Sequence, residues 1–442
     1  MPQVEHPYQL KHSFRDPVHG FIRVSDEERR LIDSPPVQRL RRIHQLGTGF
    51  LVYHGAEHSR FGHSLGTMHL AGRAFEQIND KQQGLLGRGK ELSRNWQIMR
   101  IAGLLHDIGH TPFSHAAEEL LPARADGKGH LRHEDYSAVI LRNHLDTEIR
   151  SAFLAAGITA GDLDALFKGD LGRLGRPARI MQQLLSGEVD VDRMDYLLRD
   201  SLYTGVAYGH FDVERLVECI TAHRIRGQRT LAFERGGLGA LEGFIYARYF
   251  MYTQVYLHDV RCFYDIMLRE ALTELLEGGG FNGRYPNPAD VDAFLKMDDV
   301  WAMAGLTELA EAGVGAAKCI VERRNWRTVA ETSAHPTAIQ VTAWHAARHE
   351  IEKEFGVDAF RFDVPTKKVF QPTEPQPYQR QTEGEGSPVV IVDETGSRPA
   401  RLIEEESTLV DEISRNPVMY MRLYARPDVE DPIRERWERL TT

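Results

Sequence analysis

The stretch Ile98 to His115, IMRIAGLLHDIGHTPFSH, sets His106, Asp107, His110 and His115 directly behind an apolar run. Ile98, Ile101, Ala102 and Leu105 recur at helical spacing, which predicts the last turns of a core helix that Gly109 ends, with His106 and Asp107 at its tip. An imidazole and a carboxylate side by side at a helix end can converge on one divalent cation. The same pair can equally bond backbone or water, so the metal reading requires further donors from elsewhere in the chain.

Further donors are present. In HSRFGHSLG, Arg60 and His63 share one helical turn, so His63 can bind a metal while Arg60 reaches a phosphate on it. In GEVDVDRMDYLLRDSLYTG, the residues Asp192, Asp195, Tyr196, Arg199 and Asp200 fall on one helix face. Three carboxylates so close together repel one another unless cations or hydrogen bonds compensate them, which favours a site over a solvated surface. His63, His106, Asp107 and Asp192 then make an ordered set of four nitrogen and oxygen donors without a thiolate. Such a set suits Mn, Fe, Zn or Ni and leaves room for water and a phosphate oxygen. His133 and Glu134 form a second pair, in which the carboxylate can orient the imidazole and raise its basicity.

The elements that position these groups are mostly helices. FRDPVHGFIRV reads as an entry hairpin, Glu27 to Ile32 as a helix, and Asp33-Ser34-Pro35-Pro36 as the start of another with Val37, Leu40 and Ile43 inward. Gln38, Arg39, Arg41 and Arg42 would decorate its outer surface. Leu65, Met68 and Ala71 give the His63 helix a core face. A strand is expected at Leu231 to Phe233 and one long helix from about Leu241 to Leu276, carrying Tyr246, Tyr249, Tyr252, Tyr256 and Arg248. Pro288 to Glu311 again reads as helical. Beyond it the pattern becomes α+β: a helix over Thr337 to Phe355, extended chain over Phe360 to Phe370, and a Pro-, Gln- and Gly-rich loop over Gln371 to Pro388. A hairpin of Val389 to Val392 with Ala400 to Ile403 and a strand over Met419 to Arg426 follow. His345 and His349 sit one helical turn apart without an acidic partner and read as an exposed helix face.

Composition sets the broader bounds. The 442 residues are 42% hydrophobic and 27% charged, as in an ordinary globular protein with room for more than one domain. No apolar run approaches membrane-spanning length and the start lacks an apolar signal region, so a cytoplasmic protein without membrane insertion is expected. Cys219, Cys262 and Cys319 are too scattered for a disulfide framework. A formal net charge of −10 argues against a broad nucleic-acid surface, while a local arginine cluster can still hold a small polyphosphate.

The motifs DPVHG, DSPPVQRLRRIHQLG, HSRFGHSLG, HDIGHTPFSH, HE and DVDRMDYLLRD follow one another between Phe14 and His258. In this order the chain resembles the HD-domain phosphohydrolases, in particular the deoxynucleoside triphosphate triphosphohydrolases of the bacterial dGTPase and vertebrate sterile-alpha-motif/HD type. The resemblance implies a mainly α protein, with an HD-domain helical core and extensions over residues 1–320 and a smaller α+β region over 321–442. It implies a metal-dependent hydrolase that converts a dNTP into deoxynucleoside and inorganic triphosphate. His63, His106, Asp107 and Asp192 would hold one divalent metal, with Mg accompanying the nucleotide. His110, His115, Glu118, His133 and Glu134 would form the catalytic cluster, and Arg60, Arg193, Tyr196 and Arg248 would hold the triphosphate. Gln45 and Asp200 would bind the 3′-hydroxyl, and Leu46 and Tyr256 would border sugar and base. Asp33, Gln38 and Arg41 match positions that take an activating GTP or dNTP in regulated relatives, where assembly to a dimer or tetramer accompanies binding. Two other readings remain open from sequence: an HD phosphodiesterase or pyrophosphohydrolase of a signalling nucleotide, and a nucleotide sensor without turnover.

Overall fold

Two apolar helical patterns carry the centre of the molecule, α1 (Arg60–Lys81) and α2 (Lys90–Leu105). The computed structural model describes residues 8–225, 227–371 and 388–441, and the architecture is mainly α. Met68, Ala71 and Phe75 of α1 and Ile98, Ile101 and Leu105 of α2 are fully buried in one large core. The two backbones approach closely at Gly103, where an added Cβ would sit 2.9 Å from both Met68 N and Thr67 O. Further helices are α3 (His133–Ile140); α4 (Val191–Thr204), which packs on α1; α5 (Leu238–Met251); and α6 (Asp259–Gly278), the last built into a second core.

The expected entry hairpin forms from β1 (His12–Asp16) and β2 (Gly20–Val24), in antiparallel register from His12 opposite Val24 to Asp16 opposite Gly20. Gly20 turns the chain with φ of +75°. The helix Asp26–Ile32 starts at a capping box between Ser25 and Glu28, and Glu28 is buried against Arg100 of α2. Arg39 departs from the expected solvated face: it is buried, and donates to the carbonyls of Met297 and His110.

The expected long helix is two helices. After α5 the chain widens into a π-helical turn over Tyr252–Tyr256, and α6 begins only at Asp259, with His258 as its N-cap. Pro288 to Glu311 is likewise broken, into Pro288–Asp290, Val291–Leu295 and Asp299–Glu311. Proline opens the first piece and the Asp298 carboxylate caps the last.

Among the described residues the α+β part has two small sheets and a separate two-stranded ladder. The strand expected at 231–233 is β4 (Gln228–Glu234), paired with an unforeseen β3 (Ile220–Ile225). Strands β5 (Arg327–Glu331) and β6 (Phe360–Asp363) flank a later strand, and β7 (Thr366–Lys367) follows β6. The hairpin of β8 (Val390–Val392) and β9 (Arg401–Leu402) forms as expected and also joins β4 in parallel, Ala232 opposite Val390. Short β10 (Val418–Met419) pairs with β7, and β11 (Arg422–Ala425) is the central strand between β5 and β6. Helices Ala338–Phe355 and Glu430–Thr441 cover that sheet, Trp344 meeting Trp437 edge-on at 4.7 Å. His345 and His349 lie exposed on the first of these helices. Residues 372–387 of the expected loop lie outside the described residues. Among the described residues no helix is long and apolar enough to cross a membrane.

Candidate functional site

The tips of α1, α2 and α4 meet at four donors. His63 is in the first turn of α1, His106 caps α2 with Asp107 behind it, and Asp192 is in the first turn of α4. One donor atom each from His63, His106 and Asp192 lies within 4.8 Å of the others. His63 Nε2 is 3.0 Å from Asp192 Oδ1 and 3.6 Å from Asp107 Oδ2, and His106 Nε2 is 3.3 Å from Asp107 Oδ1. His106 Nδ1 donates to the Gly103 carbonyl at 2.9 Å, so its buried Nε2 faces the cluster as an acceptor. That Nε2 has no hydrogen-bond partner, and an acceptor aimed at two carboxylates is what a divalent ion would satisfy. Burial alone would depress the His63 imidazole, but bonding to Asp192 and Asp195 raises it to about 10. The cluster therefore favours positive charge at this point. Donor types, spacing and electrostatics fit a divalent metal.

A second tier of residues holds the first. Asp195 Oδ2 lies 2.8 Å from His63 Nδ1, and its Oδ1 lies 2.7 Å from His19 Nε2 in the turn of the entry hairpin. Arg199 closes the tier with bonds to Asp195 and Asp16. Sequence reasoning placed Asp195 and Arg199 on the right face but gave no role to Asp16 or His19. The DPVHG motif was the signal for them.

Next to the donors, the loop after α2 and the start of α3 gather the expected catalytic cluster. The rings of His110 and His133 stack 3.8 Å apart, and His115 meets His110 edge-on at 4.8 Å. Glu118 bridges the set, with Oε2 2.7 Å from His115 Nδ1 and Oε1 2.8 Å from His133 Nδ1. Glu134 stands 3.4 Å from His133 Nδ1 and is otherwise exposed. Burial, reinforced by the charges of Arg60 and His133, holds His110 well below the ordinary imidazole value. Burial would also lower His133, yet Glu134 and Glu118 raise it to about 9. The surroundings of the two stacked imidazoles thus shift them in opposite directions.

The loop itself is strained. Phe113 and Ser114 take φ of +56° and +57°, a region disfavoured for side chains other than glycine. Asp299 accepts from Phe113 N at 2.7 Å and from His44 N at 2.8 Å, and Ser114 accepts from Arg60 Nε. Arg39 fixes the His110 carbonyl. None of these supports was visible in the sequence. Gly109 proves not to be a helix stop: α2 ends at Leu105, and a Cβ at Gly109 would lie 2.2 Å from the His133 carbonyl.

The expected substrate residues line the neighbouring wall, and several have protein partners. Arg60 is ion-paired with Asp107, Arg193 with Asp190, and Arg248 with Glu188. Tyr196 sits between His63 and Tyr256, with ring separations of 6.5 and 6.1 Å. Asp200 accepts from the Tyr256 hydroxyl at 2.8 Å and lies 2.8 Å from His58 Nε2, a contact the sequence did not indicate. Gln45 and Leu46 are buried beside this wall, and Gln45 Oε1 and Arg248 Nε are buried without a partner. The early residues lie apart from it. Asp33 pairs with Arg29, Gln38 donates to the Ile32 carbonyl, and Arg41 lies 3.6 Å over the Phe61 ring while bonding Gln38.

Residues 60–200 match the HD domain, and residues 211–440 match the HD associated region. The chain spans about half the length of the curated relatives it matches. It is 36% identical over 262 residues to the uncharacterized protein YwfO of Bacillus subtilis strain 168, covering 59% of this chain and 54% of that protein. It is 28% identical over 314 residues to the deoxynucleoside triphosphate triphosphohydrolase SAMHD1 of Danio rerio, covering 65% and 50%. A crystal structure of a hypothetical protein from Aquifex aeolicus superposes with a TM-score of 0.75 at 29% identity, over 96% of this chain and 99% of that one. With its histidine and aspartate donors inside the matched HD domain and an HD-associated region following it over residues 211–440, the chain belongs to the HD-domain family.

Proposed function

We propose that the protein is a metal-dependent dNTP triphosphohydrolase in which water attacks the α-phosphorus. The observation that carries this reading is the adjacency of the His63, His106, Asp107 and Asp192 donors to the Glu118-bridged histidines, with Arg193 and Arg248 on the same wall. A divalent ion held by the donors would supply Lewis acidity toward the α-phosphoryl oxygens and the attacking water. Arg60, Arg193, Tyr196 and Arg248 would neutralise and orient the triphosphate. Asp200 and Gln45 would take the 3′-hydroxyl, and Leu46 and the Asp200-bound Tyr256 would border the sugar, with Tyr256 excluding a 2′-hydroxyl. As the new O–P bond forms and the P–O5′ bond breaks, His115 would give a proton to the leaving O5′. Neutral His110 and Glu118-held His133 would set the charge around that transfer.

The test is product chromatography from a panel of dNTPs and rNTPs with Mn²⁺ in ¹⁸O-labelled water. Unlabelled deoxynucleoside and labelled triphosphate are expected. Pyrophosphate with a nucleoside monophosphate would instead identify a pyrophosphohydrolase, and binding without turnover a sensor. Homo-oligomerisation and activation by GTP or a second dNTP at Asp33, Gln38 and Arg41 are part of the proposal. They are tested by turnover and sedimentation with and without nucleotide, for wild type and Arg41→Ala.

A further inference from the structure

A late strand pair of the HD-associated region reaches the substrate wall at Tyr252. Strands β7 and β10 pair Lys367 with Val418 and Thr366 with Met419, and this short ladder rests on the π-helical turn that follows α5. Val369, Val418 and Tyr420 form a buried cluster with Tyr249, Tyr252 and Leu257 against it. Polar contacts fix the same seat. The Tyr249 hydroxyl and His335 Nε2 are 3.0 Å apart, and His335 Nδ1 meets the Pro417 carbonyl at 3.1 Å. The ladder is therefore held in place from both sides of Lys367.

Lys367 extends from it over the Tyr252 ring, Nζ lying 5.4 Å from the centroid. The Arg248 guanidinium lies 5.9 Å from the same ring, and Tyr256 meets it edge-on at 5.0 Å. Burial would raise the Tyr252 phenol, but the positive charges of Lys367, Arg248 and Arg193 outweigh it and lower the phenol. Three cations thus converge on one side chain of the substrate wall. Arg193 and Arg248 are compensated by Asp190 and Glu188, whereas among the described residues no carboxylate pairs with Lys367. Lys367 is an exposed residue, and the ring-to-ring path from Tyr252 through Tyr256 and Tyr196 to His63 puts it at the end of the wall away from the metal donors.

We propose that Lys367 binds the outer phosphates of a polyphosphate substrate, so that the β7–β10 ladder completes the site and senses phosphate-chain length. This inference rests on the triphosphate reading of the wall. An ammonium is suited to the role as a mobile point charge that follows a flexible chain terminus, while the arginine forks hold the inner phosphates.

The test is titration calorimetry of the full-length, Mn²⁺-loaded protein with inorganic tripolyphosphate and orthophosphate, for wild type, Lys367→Ala and Lys367→Arg. Because Lys367 is exposed, its substitution should leave the melting temperature unchanged. Lys367→Ala is expected to weaken tripolyphosphate binding about tenfold, with orthophosphate binding changed less than about twofold. Lys367→Arg should restore most of the loss. Equal tripolyphosphate affinity in wild type and Lys367→Ala, with Arg248→Ala still weakening it, overturns the role of Lys367 and leaves the triphosphate reading standing. No tripolyphosphate binding by the wild type overturns both together.

Discussion

His63 Nδ1 lies 2.8 Å from Asp195 Oδ2, on the side of the ring opposite the metal donors. A carboxylate at that distance keeps the proton on Nδ1 and leaves Nε2 as the donor atom, so Asp195 sets both the tautomer and the orientation of a ligand it does not share. Asp195→Asn retains the shape but weakens this bond and leaves Arg199 short of a counter-ion. Metal affinity should fall about 10–100-fold, measured by equilibrium dialysis with Mn²⁺. Unchanged affinity would show that the His63 ring is fixed by packing alone.

Gly66 makes that support available. A Cβ there would stand 1.7 Å from Asp195 Oδ1 and 2.6 Å from Arg199 Nη2, so Gly66→Ala must push the pair out of place. Within a helix such a change ordinarily stabilises by about 1 kcal/mol. Here we expect destabilisation of about 1–3 kcal/mol, seen as a lowered melting temperature, together with weaker metal binding. Gly239→Ala in α5, where a Cβ would meet nothing within 4 Å, is the control expected to stabilise slightly.

These contacts mark the boundary of what the sequence could disclose. The four donors were legible because histidine and aspartate followed apolar helical repeats, and those repeats located α1 and α2. His19 and Asp195 were not paired because their contact joins a hairpin turn to a distant helix. The break at Leu257 and His258 was hidden because Tyr249, Tyr252 and Tyr256 continue a helical spacing straight through the π turn that reorients them. Phe113 and Ser114 carry no sign of left-handed backbone, since glycine is the usual marker; Asp299, far along the chain, accepts from Phe113 N. The parallel pairing of β4 with β8 is equally non-local, and only its antiparallel hairpin with β9 had a turn signal.

Asp107 bears on both metal and charge. Burial would raise its carboxyl, but the neighbouring His106 imidazole, the Arg60 guanidinium and the His110 ring beside it hold it well below the ordinary range. Asp107→Asn should therefore remove most of the bound metal and lower activity by more than the about 10–100-fold expected of a supporting residue. It also leaves the buried Arg60 without its carboxylate counter-ion, so a loss of thermal stability should accompany the loss of metal. Metal analysis, dNTP turnover and a melting curve on one preparation check all three. Full activity at unchanged metal content would remove Asp107 from the donor set.

Away from the site, a buried ion pair ties the entry segment to α2. Glu28 is fully buried and accepts from Arg100 Nε at 2.6 Å, from Arg100 Nη2 at 2.9 Å and from Gln97 at 2.8 Å. Burial alone would raise its carboxyl, yet Arg100 and these bonds hold it below the ordinary 4.5. A folded value below the unfolded one means that its contribution is complete above pH 4.5 and disappears as pH falls through the folded value. Glu28→Gln leaves the Arg100 guanidinium buried without a counter-ion, at a cost of about 3–5 kcal/mol near neutral pH. Below the folded value, wild-type Glu28 is itself protonated and the two proteins carry the same uncompensated arginine. The difference in melting temperature between wild type and Glu28→Gln should therefore be large at pH 7 and contract progressively as the solution is acidified below pH 4.5. A difference that stays constant across that range would mean that the variant acts through lost packing or capping, with the Glu28 charge contributing nothing.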